Sequence, residues 1–301
     1  MASSNLSIRP YEGHDETAVL ALINADRLPG QPETTTAMLA EALAGRSPHD
    51  SGWWMELDPP RTDVVCDDHG TVLGVVSYAR RESDDAGLIL WLHCRGEDET
   101  LTDTLIAHTL TALTHSPTVY AFEFASALAL GLEGLAASHR PGIHHALTRS
   151  GFIARARWRY MGAPLPIPGL PHATDYSLIE SHDPPGKQLE IHQHGERTAH
   201  AIIGTPTAGI GVLWWIEVAE HARGHGLGRN LLDAALDQLT RDGARHVILY
   251  VDDDAPATAN GRDRRSANKM YDRAGLTEID RLFSYERHTS GSHHTTTAVS
   301  T

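Results

Sequence analysis

The sequence predicts an α/β (α+β) protein made of two tandem units, each a sheet flanked by helices. Three observations carry this. Apolar residues recur at helical spacing and at strand spacing in alternation along the chain. The order strands, helix, strand, helix, strand occurs once in the first half and again in the second. Between the halves, "GAPLPIPGLPH" (162–172) concentrates four prolines and two glycines, which interrupt both helix and sheet. The predicted division is residues 1–163, a linker at 164–172, a second domain at 173–288 and a tail at 289–301. That tail holds too little apolar surface to pack and is expected to be disordered.

In the first half, "LSIRP" (6–10) reads as a short strand. "DETAVLALINADRL" (15–28) reads as a helix with Asp15 or a neighbour as N-cap. A second helix is expected through "TTTAMLAEALA", then strands at 62–68, 71–81 and 87–94. A helix over 101–113, a strand over 118–125, a helix ending in "HHALTRSGF" (144–152) and a strand from Ile153 complete this half. In the second half, strands are predicted at 175–180, 187–195, 197–206 and 211–219. A glycine-rich loop, a helix over 229–241, a strand at 246–252, a helix near 264–274 and a final strand "TEIDRLFSYER" follow.

Composition excludes several classes of function. A formal charge of −14 argues against binding nucleic acid or an anionic membrane surface, and suits a cationic partner. No apolar run reaches the roughly 18 residues of a membrane span, and the start lacks a basic flank and apolar core, so a cytoplasmic protein is expected. Cys66 and Cys94 make neither a disulfide framework nor a zinc spacing. The histidine pairs His144-His145 and His192-x-His194 lack third and fourth ligands, so no metal is expected. A homodimer is compatible with the sequence, which does not decide the oligomeric state.

The segment "VAEHARGHGLGRNLL" (218–232) sits between a predicted strand and a predicted helix. The first amides of a helix have no internal partner and carry the positive end of its dipole. Glycines let a phosphate approach those amides, and arginine adds matching charge. The loop is not a Walker loop, because Arg229-Asn230 follows where Lys-Ser/Thr is needed. Nor does the alternating Gly224-x-Gly226-x-Gly228 fit the dinucleotide fingerprint.

Val218, Arg223, Gly224, Gly226 and Gly228 together resemble motif A of the GCN5-related N-acetyltransferases, the GNAT superfamily, with Glu220 where proline is common. Downstream, Ala267, Tyr271 and Gly275 resemble the family's motif B, with Leu276 for the usual Phe. The asparagine usual seven residues before the tyrosine is replaced by Arg264 after an apparent insertion, and Asn260 or Asn268 are candidate substitutes. The resemblance is strong over about 185–288 and implies mixed, mostly antiparallel twisted sheets. It also implies acetyl-CoA as co-substrate and an amine acceptor.

By this resemblance, the amides of His225, Gly226, Leu227, Gly228, Arg229 and Asn230, with the guanidinium of Arg223 or Arg229, hold the pyrophosphate. An N–H near Glu217 and Val218 receives the developing oxyanion. Tyr271 is the candidate general acid and Glu217 the candidate base. Trp214 and Trp215 are candidate walls of the acceptor pocket, and Arg262, Arg264 and Arg265 are candidate partners of the 3′-phosphate. Simple strand alternation groups Val212, Trp214, Ile216 and Val218 on one face and Leu213, Trp215 and Glu217 on the other.

The first half repeats the element order without these signatures. Its equivalent loop, "RGEDETLTD", carries Glu97, Asp98 and Glu99, which repel a pyrophosphate, and Leu147 stands where Tyr271 does. It is therefore expected to be a degenerate copy. The tandem plan is similar to that of mycothiol synthases and of antibiotic self-resistance acetyltransferases. The expected activity is acetylation of a primary amine on a small cationic molecule, such as an antibiotic or other natural product. Acetylation of a cysteinyl amine and non-catalytic sensing of acetyl-CoA are the alternatives.

Overall fold

The computed structural model describes residues 6–169, 176–252 and 265–289. The first strand, β1 (Ser7–Pro10), leads through a 3₁₀ turn into α1 (Glu16–Ala25), which buries Val19, Leu22 and Ile23. Asp15 does not cap α1 with its side chain. Its carboxylate turns back to accept the Glu12 amide at 2.9 Å and both Arg9 Nη atoms at 2.7 Å. The Arg9 fork holds its carboxyl below the ordinary 3.8, against the upward push of burial. The unfolded chain therefore takes up the proton first as pH falls. The contribution is fully present above about pH 4 and is lost below it. Acid unfolding followed by circular dichroism is expected to shift to higher pH for Arg9→Ala.

The helix α2 (Thr36–Leu43) is capped by Thr35, whose hydroxyl accepts the Met38 amide. A four-residue helix, α3 (Ser51–Trp54), follows; it is too short to leave a period in the sequence, and Trp54 Nε1 anchors it on the Ala125 carbonyl at 2.8 Å. Then come β2 (Arg61–Cys66), β3 (Val72–Arg81), β4 (Ala86–Cys94), α4 (Glu99–Ala112), β5 (Thr118–Ala121), β6 (Leu135–Ala136) and α5 (Pro141–Arg149). β5 stops four residues short of the predicted strand because Phe122 takes φ +56° and leaves the ladder. The long β7 (Ile153–Pro164) precedes β8 (Ser177–His182), β9 (Pro185–Gln193), β10 (Glu196–Gly204) and β11 (Ile210–Val218). The chain ends with α6 (Leu227–Arg241), β12 (His246–Asp252), α7 (Arg265–Arg273) and β13 (Thr277–His288).

Two compact units result, and they are drawn differently from the predicted division. Unit 1 takes the described residues of Met1–Asp26, Thr34–Arg155 and Phe283–Thr301; unit 2 takes Arg27–Glu33 and Ala156–Leu282. The boundary falls inside β7, which runs unbroken to Pro164, so the proline-rich stretch is not where the units part. Of the predicted linker, Leu165 still donates to the Arg245 carbonyl at 2.9 Å, and residues 170–172 lie outside the described residues. Of the predicted tail, Thr289 bonds the Pro117 carbonyl, and 290–301 lie outside.

Within unit 1 the strands run β1-β2-β3-β4-β5, with the second half of β13 antiparallel to β5; β4 and β5 are parallel and the other registers are antiparallel. Within unit 2 the order is β8-β9-β10-β11-β12-β7, antiparallel except for β11 and β12. One face of this second sheet packs Met161, Ala163, Ala201, Leu213 and Leu249 against Leu231, Leu232 and Leu239 of α6 and Tyr271 of α7. Burying such aliphatic side chains contributes about 1.5–3 kcal/mol each.

Candidate active site

The site begins with a flaw in strand pairing. The register of β10 against β11 shifts between Ile202 and Ile203: Ile202 faces Trp215, Ile203 faces Leu213, and Trp214 is the extra residue of a bulge. A bulge bends its strand and resets alternation. Leu213, Ile216 and Val218 thus share the helix-covered face with Ala199, Ala201 and Ile203. Trp215 and Glu217 lie opposite, beside Ile202 and His200. This corrects the simple alternation, which groups Trp214 with Ile216 and Val218.

On its other edge β11 pairs with β12 only as far as Leu213 and Leu249. Beyond that point the two parallel strands fork. The Ala219 amide bonds the Thr198 carbonyl at 2.8 Å, so alternation aims the amides of Ile216 and Val218 away from β10 and into the fork. An N–H aimed into a gap between strands is a donor available to an incoming carbonyl.

The fork opens onto the glycine loop. Gly224 and Gly226 adopt φ +82° and +81°, which glycine alone takes without penalty. A Cβ at either would meet nothing within 4 Å, so the space beside them is open. Gly226 is the N-cap of α6 and no side-chain bond caps it. The first helical bond is Asn230 to the Gly226 carbonyl, which leaves the amides of Leu227, Gly228 and Arg229 for an external acceptor. His225 is exposed and its Nδ1 lies 3.4 Å from the Ala222 carbonyl. Arg223 spends its Nε on the Val218 carbonyl (3.1 Å), and Arg229 its Nε on buried Asp233 (3.0 Å). Burial pushes Asp233 up despite that arginine. Both arginines are therefore fixed at the loop through Nε.

Tyr271 is buried on α7, on the helix-covered face, and burial raises its phenol well above the ordinary 10.0. The preceding Met270 packs near Gly228: a Cβ there would lie 3.5 Å from its Sδ and from Val218. Glu217 lies on the opposite face, across from His200, which is held below its ordinary 6.5 by burial first and Arg197 next. His200 in turn faces Glu190, so a Glu-His-Glu row crosses β11, β10 and β9. Sequence reasoning missed His200, although alternation along "RTAHAIIG" marks it as the odd member of an apolar strand. Trp214 stacks on Tyr250 (6.5 Å between centroids, 21°), whereas Trp215 is 46% exposed. Asn268 is buried and accepts Arg159 Nη1 at 2.5 Å; Asn260, Arg262 and Arg264 lie outside the described residues, and Arg265 opens α7.

Unit 1 has the same fork with different contents. β3 and β4 shift register between Ser77 and Tyr78, and β4 pairs with β5 only through Ile89 and Ala121. Here Arg140 Nη2 bonds the Leu92 carbonyl at 3.0 Å. Its Nε meets Glu97 at 2.5 Å, and Asp26 pairs with both Arg140 (3.0 Å) and His93 (2.7 Å). Asp98 caps α4 by accepting the Leu101 amide at 3.0 Å. The chain's own carboxylate thus takes an amide that an external anion would need. Buried Leu147 offers no proton where the second unit has Tyr271.

Residues 152–260 match the family model described as the acetyltransferase (GNAT) family. The matched stretch lies mostly within the second unit. No curated protein matches the sequence. Among solved structures, the chain is similar to a tandem GNAT protein from the clavulanic acid biosynthesis pathway, with 17% identity, TM-score 0.65, and 96% of this chain and 100% of that one covered. It is also similar to a GCN5-related N-acetyltransferase from Sphaerobacter thermophilus (16% identity, TM-score 0.62, 94% and 95% covered). A third likeness is to the glucosamine N-acetyltransferase region of a fungal multi-domain β-N-acetylglucosaminidase (12% identity, TM-score 0.63, 95% and 38% covered). At these identities the likeness is one of fold, and it spans both units. Among the described residues, no group of three or more His, Cys, Asp or Glu side chains is placed to hold a metal, and no helix is long and apolar enough to cross a membrane.

Proposed function

We propose that the GNAT domain of unit 2 transfers an acetyl group from acetyl-CoA to a primary amine of a small cationic molecule. The observation that carries this is the continuity of donors: amides of Leu227–Arg229 at the uncapped start of α6, then the inward amide of Val218 in the fork. The first set fits a diphosphate, and the second fits a carbonyl oxygen gaining negative charge. Gly224 and Gly226 fit close approach, because nothing fills the space their side chains would take.

Acetyl-CoA supplies an activated acyl group whose leaving atom is a thiolate. Val218's amide steadies the carbonyl oxygen, while Tyr271 donates the proton that the departing sulfur needs. Glu217, with His200 beside it, takes the proton that the acceptor ammonium must lose before its nitrogen can attack. Glu217 and Tyr271 sit on opposite faces of the sheet. That suits a reaction in which the nucleophile arrives from one side of the thioester and the leaving group departs on the other.

The cationic acceptor is supported by the net charge of −14 and by Glu217 on the acceptor face. A natural-product substrate, and with it a self-resistance role, draws support from the likeness to the tandem protein of clavulanic acid biosynthesis. Thermal unfolding tests the donor: coenzyme A at ~100 times its dissociation constant is expected to add ~2.7 kcal/mol of stability. A melting temperature unmoved by coenzyme A would overturn the proposal. A thiol-release screen with acetyl-CoA and cationic antibiotics, polyamines and amino sugars then tests the acceptor.

A further inference from the structure

Residues 27–33 lie between α1 and α2 of unit 1, yet they belong to unit 2. They settle on the sheet face opposite α6. Met161 and Ala163 of β7, and Leu249 and Val251 of β12, point to the helices, so Tyr160, Gly162, Ile248 and Tyr250 face the other way. There the Nε2 of buried Gln31 donates to the hydroxyls of Tyr160 (3.2 Å) and Tyr250 (3.0 Å), one N–H for each. Tyr160 passes its own proton to the Pro29 carbonyl at 2.8 Å. Gly30, at φ +80°, lets the segment come this close: a Cβ there would stand 2.6 Å from Ile248 Cγ2 and 2.9 Å from the Tyr160 hydroxyl.

The place matters more than the bonds. Tyr250 is the first residue of β12 beyond the last paired position, and Trp214 holds the same rank on β11. Tyr160, Tyr250 and Trp214 form a near-parallel ring stack (22° and 21°) that straddles the mouth of the fork. At the equivalent positions unit 1, whose fork is filled by Arg140, has Leu90 and Phe122. A hydroxyl-bearing ring held by a buried amide is costly where an apolar residue would pack, and it occurs in the unit whose fork is open.

Resting on the acetyl-transfer reading above, we infer that residues 27–33 form the acceptor-side wall of the unit 2 fork and that Gln31 is its positioning residue. By fixing two tyrosine hydroxyls, Gln31 sets the ring stack against which the acceptor amine is oriented. The segment also keeps water from the thioester on that face.

The test uses the full chain, acetyl-CoA and three probe amines, glucosamine, spermidine and tyramine, with hydrolysis of acetyl-CoA by water as a fourth readout. In Gln31→Ala, the relative rates among the probes, or the rate of hydrolysis, are expected to change at least about tenfold, since an angstrom of misplacement can cost about a hundredfold. The KM for acetyl-CoA is expected to stay within about twofold, because the cofactor loop is untouched. Tyr160→Phe keeps the ring and loses two bonds of the network, the one accepted from Gln31 and the one donated to Pro29. It is expected to change selectivity in the same direction, non-additively with Gln31→Ala, and it carries the test alone should Gln31→Ala not fold. Coenzyme A binding with unchanged probe ratios and unchanged hydrolysis in the variants would overturn the role of Gln31 alone. A wild-type chain that binds no coenzyme A would overturn the acetyl-transfer reading, and this inference with it.

Discussion

Replacing Arg140 with alanine is expected to destabilise unit 1 by about 3–5 kcal/mol, the usual consequence of breaking a buried ion pair by removing one partner. The side chains of Arg140, Asp26 and Glu97 are only 8%, 10% and 18% exposed, so solvent offers little relief. Without the guanidinium, two carboxylates remain in the fork with His93 as the neighbour. Burial, before any other influence, holds that imidazole below its ordinary 6.5 and so keeps it a poor substitute cation at neutral pH. The Leu92 carbonyl also loses its donor. Urea unfolding should show the lowered midpoint with little change in slope. An Arg140→Ala protein within about 0.5 kcal/mol of wild type, the scale of an ordinary surface substitution, would mean that the fork of unit 1 is not held by this cluster. Arg140→Lys keeps the charge but not the fork geometry, and should recover only part of the loss.

The same cluster marks where the sequence was readable and where it was not. Acidic residues at 97–99 make the unit 1 loop unfavourable for a phosphate, and that much follows from charge alone. Their actual employment depends on partners far along the chain: Glu97 bonds Arg140, 43 positions away, and Asp98 turns onto its own helix. No local pattern encodes the first. The glycine loop is the opposite case. Gly224 and Gly226 at positive φ, followed by the apolar stripe Leu227, Leu231, Leu232, Leu236 and Leu239, are local properties, and the loop and α6 stand where the sequence placed them.

Two failures have definite physical sources. Alternation along β11 assumed an unbroken strand, whereas the bulge at Trp214 moves every later side chain to the other face. Residues 27–33, with Pro29, Gly30 and Gln31, carry only the signal of a breaker between two helices. Their docking on Tyr160 and Tyr250 is a long-range event that a turn-like composition neither requires nor forbids. The exchange of segments between units has the same origin, since β13 reads as one strand but has its two halves in different units.

Tyr271→Phe is expected to lower kcat by roughly 10²–10⁴-fold, the range for loss of a positioned general acid, while leaving the KM for acetyl-CoA nearly unchanged. The substitution removes one hydroxyl and keeps the ring that packs with Leu276 and Ala274 in the core of unit 2, so folding and coenzyme A binding should persist. Separating kcat from KM is what distinguishes a proton donor from a packing residue. Burial keeps the phenol protonated beyond its ordinary 10.0, so kcat of the wild type should show no alkaline loss attributable to this acid up to about that pH. A thiolate of ordinary pKa, about 8.5, is a weaker base than such a phenolate, so the proton moves uphill in the resting site. The transfer is least uphill when the sulfur carries its full negative charge, so the phenol acts first as a hydrogen-bond donor to the charge developing on sulfur in the transition state, and the proton follows as coenzyme A leaves. Should Tyr271→Phe turn over a competent amine at the wild-type rate, the leaving sulfur takes its proton from water. The burial of Tyr271 would then be explained by packing alone.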